Sequence, residues 1–256
     1  MNGEPGWLNA RDPGEEHGAR EAALNRLALI DTALRTAAPR PKGAMQVADI
    51  GCGAGVQCRL WAERGHQVYG ADINKALIAL ARKRAREAGL GIAFEVAPAT
   101  ALPWPDRSMD LCIVPGLIEH VAEWRACLAE FVRILKPGGA LYISTTNVLC
   151  PMQDEFRLPL YSWYPGLVKR HYEDLACTTR PELARYALYP AINWFTWYGL
   201  RNHLARHGLA SMDRFDMLGP GARGCALRLL RALPPLRLAA QVATPYTVLL
   251  AIKPAA

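Results

Sequence analysis

The chain has 256 residues, 51% of them apolar, enough to bury one full α/β core with an appendage, so one domain with embellishments is expected. No apolar run reaches the ~18 residues of a membrane span and the polar N-terminus does not read as a signal peptide, which points to a cytoplasmic protein. The formal charge of +7 is uneven: residues 1–150 carry +1 and residues 151–256 carry +6, so the basicity concerns substrate, an anionic surface or solubility. Seven cysteines with no C-x-x-C pair suit a reducing compartment and small buried hydrophobes; no metal site is expected.

In chain order, residues 1–18 are rich in Gly, Pro and charge around Trp7 and are expected to be disordered or to order only over a ligand. Residues 19–38 read as an amphipathic helix with Ala23, Leu27, Ile30 and Leu34 on one face, stopped by Pro39-Arg40-Pro41. The apolar run 45–50 is a buried parallel strand that ends in Gly51-Cys52-Gly53-Ala54-Gly55, before a helical pattern carrying Val56, Leu60 and Trp61. Glycine there permits a tight turn and close approach to a ligand, and free amides at the helix start favour a carboxylate or phosphate. The spacing is G-x-G-x-G, whereas the dinucleotide fingerprint would put its third glycine where Val56 stands. Asp49, two residues before the first glycine, would repel a pyrophosphate but suits a ligand with an ammonium and a sulfonium. S-adenosylmethionine (SAM) carries both. The next strand, 67–72, ends in Asp72, placed to accept both hydroxyls of a ribose.

Asn74 reads as the N-cap of a helix running to Glu87 and ended by Gly89. Its Arg82, Lys83, Arg84 and Arg86 read as a solvated face, so no nucleic-acid partner is expected. A third strand, 91–96, and a fourth, 110–114, follow, the latter running into Pro115-Gly116. The helical stretch 121–135 meets Lys136-Pro137-Gly138-Gly139, a tight turn into the fifth strand, 140–147. Beyond it come a helix within 193–208 with Leu200 and Leu204 on its apolar face, a strand over 209–217 and a last strand over 244–252.

Several of these stretches, in this order, resemble the successive motifs of class I SAM-dependent methyltransferases. They are residues 47–55, Gly70-Ala71-Asp72-Ile73, Leu102-Pro103-Trp104-Pro105-Asp106, residues 109–114, Ile118-Glu119-His120-Val121 and Leu135-Lys136-Pro137-Gly138-Gly139. The variety they look most like is the ubiquinone-biosynthesis-like group that methylates small molecules and lipids. The resemblance covers residues 45–147 and implies a Rossmann-like, doubly wound α/β fold of seven strands, mostly parallel with one antiparallel strand near the C-terminus. It implies that Asp49, Gly51, Cys52, Gly53 and Gly55 hold the methionine end of SAM, Asp72 the ribose and Val114 with Pro115 the cleft wall, leaving adenine to backbone groups at Ala99 or Thr100 and to apolar contact from Ile73 and Leu102. It departs from the family at Pro98, where an Asp usually accepts from the adenine amino group. That departure keeps a non-catalytic SAM-binding protein open beside the enzyme; an NAD-dependent oxidoreductase is disfavoured by the glycine spacing.

The resemblance also sets Glu119 and His120 beside the acceptor, with His120 a candidate general base toward an acceptor hydroxyl. Oxygen is the expected methyl acceptor, on a small-molecule or lipid-like substrate. Residues 19–256 are read as one methyltransferase domain with two insertions. The first, 148–192, places Phe156, Tyr161, Trp163, Tyr164, Tyr172, Tyr186 and Tyr189 among Arg157, Lys169, Arg170 and His171, and is expected to act as a lid in which Tyr161, Trp163, Tyr164, His171 and Tyr172 touch substrate, or else simply to pack on the core. The second, 219–242, reads as two short basic amphipathic helices broken by Pro234-Pro235, suited to peripheral contact with the inner membrane face or to capping the sheet edge. The pattern carries no information on oligomeric state.

Overall fold

Strand β1 (Gln46–Ile50) is buried at four of its five positions, as expected of a strand covered on both faces. In the computed structural model, which describes residues 13–37, 43–153, 155–184, 190–218 and 225–255, β1 is paired on both sides. On one side it runs parallel to β2 (Gln67–Asp72), with Asp49 opposite Gly70; on the other it runs parallel to β4 (Met109–Pro115), with Asp49 opposite Ile113. β3 (Ala93–Val96) adds to β2 in parallel, Asp72 opposite Val96. With β5 (Leu135–Thr146), β6 (Ala210–Asp213) and β7 (Tyr246–Ile252), the sheet has the order β3-β2-β1-β4-β5-β7-β6. Strand order therefore reverses beside β1, and ligands of doubly wound sheets bind outside the C-terminal strand ends at such a reversal.

The chain divides into two compact units, one drawn from Met1–Ile113, Glu130–Leu141 and Ile252–Ala256, the other from Val114–Ala129 and Tyr142–Ala251. In the first, helix α1 (Pro13–Ala37) buries Ala23, Leu27, Ile30 and Leu34, the face its spacing predicts. It starts at Pro13 rather than at residue 19; residues 1–12, expected to be disordered, lie outside the described residues. Arg26 on α1 donates to the Gln57 Oε1 of α2 (Val56–Ala62) at 2.9 Å. Asn74 caps α3 (Lys75–Glu87) as expected, its Oδ1 accepting from the amides of Ala76 and Leu77. The expected turn at residues 136–139 is instead the start of β5, because Gly138 N donates to Lys253 O and Lys253 N donates to Gly139 O. That exchange sets the end of β7 against the start of β5, so the two strands run antiparallel.

The second unit holds the ends of β4 and β5, helix α4 (Trp124–Ile134) in part, and both expected insertions. In the first insertion α5 (Gly166–Thr178) closes over a cluster of Phe156, Tyr161, Ala176 and Ala184. Helix α6 (Trp197–Arg206) buries Leu200 and Leu204. The strand expected over 209–217 stops at Asp213, whose carboxylate accepts from the amides of Phe215 and Asp216 and so turns the chain into the short helix α7 (Arg214–Met217). Two short helices follow as predicted, α8 (Cys225–Ala232) and α9 (Pro234–Val242), the second opened by its proline pair. Asp213, fully buried, also accepts from Arg237 Nε at 2.7 Å and Gln241 Nε2 at 3.0 Å, tying α9 back to β6.

Gly55 closes the loop after β1 with a φ of +76°, and a Cβ there would sit 2.9 Å from the Phe94 ring and 3.1 Å from Ala81. Gly53 is also left-handed, at φ +53°, but faces open space. Gly53→Ala is therefore expected to cost about 1 kcal/mol, from backbone strain alone, and Gly55→Ala about 2–3 kcal/mol, from strain plus overpacking. Urea unfolding midpoints of the two variants, compared side by side, check the difference.

Candidate functional site

The end of β1 carries the most unusual group of the first unit. Asp49 is buried, and its Oδ2 accepts from Cys58 Sγ at 3.2 Å. Its Oδ1 has no hydrogen-bond partner among the described residues. Burial pushes the Asp49 carboxyl up to about 6, against the opposing pull of the Cys58 bond and of Arg26. A buried acceptor oxygen without a donor is rare in folded proteins, and a water or a ligand donor completes such a group.

The glycine loop that follows is not the open amide cradle its sequence suggests. Gly51 N and Cys52 N both donate to Ala71 O, at 2.8 and 3.1 Å, and Gly53 N donates to Asp72 Oδ2 at 2.9 Å. Asp72 Oδ1 accepts from Asn74 N at 2.8 Å. Three of the loop amides are thus spent on joining β1 to the end of β2, and the carboxylate that Gly53 N meets belongs to the protein. Each Asp72 oxygen accepts one such bond and keeps lone-pair capacity for another, so Asp72 pins the loop while it stays open to a hydroxyl donor. Ile73, next to it, is 64% exposed, an apolar side chain in water beside a carboxylate.

The turn after β3 is held by residues that carried no role in the sequence reading. Ala101 N donates to Pro98 O, so the proline carbonyl closes the turn that bears Ala99 and Thr100. Glu130 Oε2 accepts from Leu102 N at 2.9 Å, and Arg133 donates to the carbonyls of Leu102 and Trp104 and to Asp106 Oδ1. The two clamp residues also pair with each other, and the Arg133 bonds hold the Glu130 carboxyl below its ordinary value. The E-x-x-R spacing on one helix face was the available signal.

In the second unit, Val114 is buried and Pro115 half-buried at the end of β4, and a short 3-10 turn over Ile118–His120 follows. Glu119 lies almost fully inside, its Oε2 accepting from Thr145 Oγ1 at 2.7 Å, while its backbone carbonyl accepts from the amides of Ile192 and Asn193. Burial pushes the Glu119 carboxyl up to about 7, with the His120 imidazole and the Thr145 bond pulling the other way. His120 is half-buried and its Nδ1 has no partner among the described residues. The Glu119 carboxyl is thus poised to exchange a proton near neutrality.

The expected lid is brought together only in part. Tyr161 is fully buried, its ring stacked on Phe156 at 4.1 Å and its hydroxyl donating to Lys169 O at 3.2 Å; burial is the main reason its phenol is pushed above its ordinary range. It is a core residue of the insertion, which is the packing alternative that the sequence reading left open for this ring. Tyr164 and Tyr172 pack against the same cluster, half-buried. Trp163 and His171 are exposed, and Trp163 Nε1 donates to Leu149 O. Tyr186 and Tyr189 lie outside the described residues. In the second insertion Leu229, Leu233, Leu236 and Leu238 are exposed. Arg231 and Arg237 turn inward instead, to Phe215 O and to Asp213 with Asp216, so these two cations do not present a basic face.

The sheet order and the loop after β1 define the class: a Rossmann-like fold of the SAM-dependent methyltransferase type. Residues 48–143, the stretch that carries the loop after β1, match the family model described as a methyltransferase domain. A ubiquinone biosynthesis O-methyltransferase from Brucella anthropi is 34% identical over 110 residues, 43% of this chain and 44% of that protein; the chain thus spans less than half the length of the curated relatives it matches. Among solved structures, an S-adenosylmethionine-dependent methyltransferase from Mesorhizobium loti superposes with a TM-score of 0.57 at 22% identity, covering 88% of this chain and 96% of that one. The cyclase SpnF does so at 0.53 and 22% identity, covering 90% and 82%. Likeness at this level establishes the fold alone, and one fold hosts different chemistries.

Because Asp49 in the folded chain ionises near pH 6 and an unfolded Asp near 3.9, its charge weakens the fold at neutral pH. The ligand-free Asp49→Asn variant is expected to melt higher than the parent at pH 7, by up to about 3 kcal/mol of stability. The difference should shrink as pH falls through 6 and be lost only below the unfolded value of about 3.9, where the carboxyl is neutral in the folded and the unfolded chain alike. Thermal melts at pH 4, 6 and 8 check the sign and the window.

Proposed function

We propose that the chain is a SAM-dependent methyltransferase that moves a methyl group to oxygen on a small-molecule or lipid-like acceptor. The observation that carries the reading is Asp49, a buried carboxylate with one oxygen lacking a donor, at the C-terminal end of β1. A cationic ligand is what such a group favours, and on binding one Asp49 would regain its charge. SAM supplies a methyl group on a positively charged sulfur. Asp49 would favour its methionine end, Asp72 would accept from the ribose hydroxyls with its remaining lone pairs, and exposed Ile73 would cover one face of adenine, with Ala99 and Thr100 along its edge. Pro98 accepts only through its backbone carbonyl, which also takes the Ala101 amide.

Glu119 is assigned as the general base, in place of His120. A carboxylate ionising near pH 7 accepts a proton from an acceptor hydroxyl while remaining partly neutral at rest, and Thr145 holds it in one orientation. His120 would orient the acceptor. Oxygen as the methyl acceptor is supported by the O-methyltransferases among the relatives, and the exposed leucines of α8 and α9 support a lipid-like acceptor or contact with a membrane surface. Among the described residues, no helix is long and apolar enough to cross a membrane.

Pro98 favours a second reading, a SAM-binding protein without turnover. Calorimetry with SAM and a search for S-adenosylhomocysteine release across phenolic and lipid acceptors separates the two. Asp72→Ala is expected to abolish SAM binding while circular dichroism stays native, and an unchanged affinity would sink the ribose assignment. With a turning-over acceptor, Glu119→Gln is expected to lower kcat by about 10²–10⁴-fold. The parent's rise in rate between pH 6 and 8 should be flattened in that variant; an unchanged pH profile would overturn the Glu119 assignment.

A further inference from the structure

Helices α4 and α6 flank a cavity of about 420 Å³ in the second unit, whose wall includes Trp124, Arg125, Trp194, Phe195, His203 and Arg206. Its size is that of a small-ligand site. The walls are aromatic: Trp124 meets Phe195 edge to face at 5.2 Å and lies 5.2 Å from the His203 ring. The Arg125 guanidinium lies over Trp124 at 4.3 Å. Neither Arg125 nor Arg206 forms an ion pair with a described residue, and no acid lines the cavity. Two ring nitrogens, Trp194 Nε1 and His203 Nε2, are buried without a partner among the described residues.

We propose that this cavity binds a small aromatic carboxylate, its ring against Trp124, Trp194 and Phe195 and its carboxylate facing Arg125 and Arg206. Guanidinium groups recognise a carboxylate with paired N–H donors, and both they and the ring face of the ligand stack on tryptophan. A bare phosphate would leave the aromatic wall uncovered, and a neutral ring would leave two guanidiniums beside an apolar surface with no counter-charge. Charge on His203 reports occupancy. Burial, then His207, then Arg125 and Arg206 hold its pKa below the ordinary value, and these are the charged groups that act on it: Arg125 from α4, Arg206 and His207 from its own helix and the turn after it. A carboxylate entering beside it reverses that field and raises its pKa.

The binding reading stands whether or not the chain turns over SAM, and its test needs no SAM. Benzoate is titrated into the full chain by calorimetry, with benzamide and acetate as the uncharged and ring-less controls, and the His203 titration is followed by NMR. Saturable benzoate binding is expected, about tenfold or more tighter than either control, as one charge-assisted contact implies, with the His203 pKa rising on saturation. Arg125→Gln and Arg206→Gln should each weaken benzoate by about tenfold and leave SAM affinity unchanged. Absence of saturable binding, equal binding of benzamide, or benzoate affinity undiminished in both arginine variants would each overturn the proposal. Failure of SAM to bind in a separate titration would count against the methyltransferase reading alone.

Discussion

Burying the Asp49 carboxylate is the constraint around which the first unit is built. A charge removed from water is tolerated only with compensation, and the compensation here is partial: one thiol at Oδ2, one arginine acting from α1, and no partner at Oδ1 among the described residues. The packing around it is tight, with Val47, Ala48 and Ile50 of β1 essentially inaccessible and Cys58 on α2 equally so. In the loop that follows, Gly51, Gly53 and Gly55 are all left-handed, a backbone that glycine adopts without steric cost.

The second carboxylate works differently. Asp72 is partly exposed and spends one lone pair on each of two backbone amides, so it fixes the loop after β1 against the start of α3. Gly70 makes this possible, since a Cβ there would run into the Phe94 ring at 2.6 Å and Cys52 Sγ at 2.9 Å. One acid is thus raised in energy and one is anchored. Together with the Glu130 and Arg133 clamp on the turn after β3, they make a rigid rim from short-range contacts, which suits a site that binds by preorganisation.

Local chemistry made much of this legible in the sequence. The run into three glycines, Asn74 before a helical pattern, the Ala23-Leu27-Ile30-Leu34 face and the proline pair of α9 each act within a few residues, so spacing alone reveals them. What failed depended on distant partners. Residues 136–139 read as a turn because Pro and Gly make turns, yet pairing with Lys253 draws them into β5. The apolar pattern of 209–217 read as strand, but Asp213 caps a helix, and the same acid holds Arg237 and Gln241 from α9. Tyr161 is indistinguishable in composition from an exposed ring; only its stacking on Phe156 decides. The cavity between α4 and α6 was invisible because its residues lie some seventy positions apart and match no motif.

Strand order carries one further consequence. β7 sits between β5 and β6, so β6 cannot join the sheet until a strand synthesised more than thirty residues later has been inserted. While the ribosome is still making that segment, the exposed edge of β5 has no partner, and the nascent chain must wait with an open sheet. Assembly of this half is consequently a late event in the life of each molecule, when a chaperone could act on it and the glycine-loop half could already be formed.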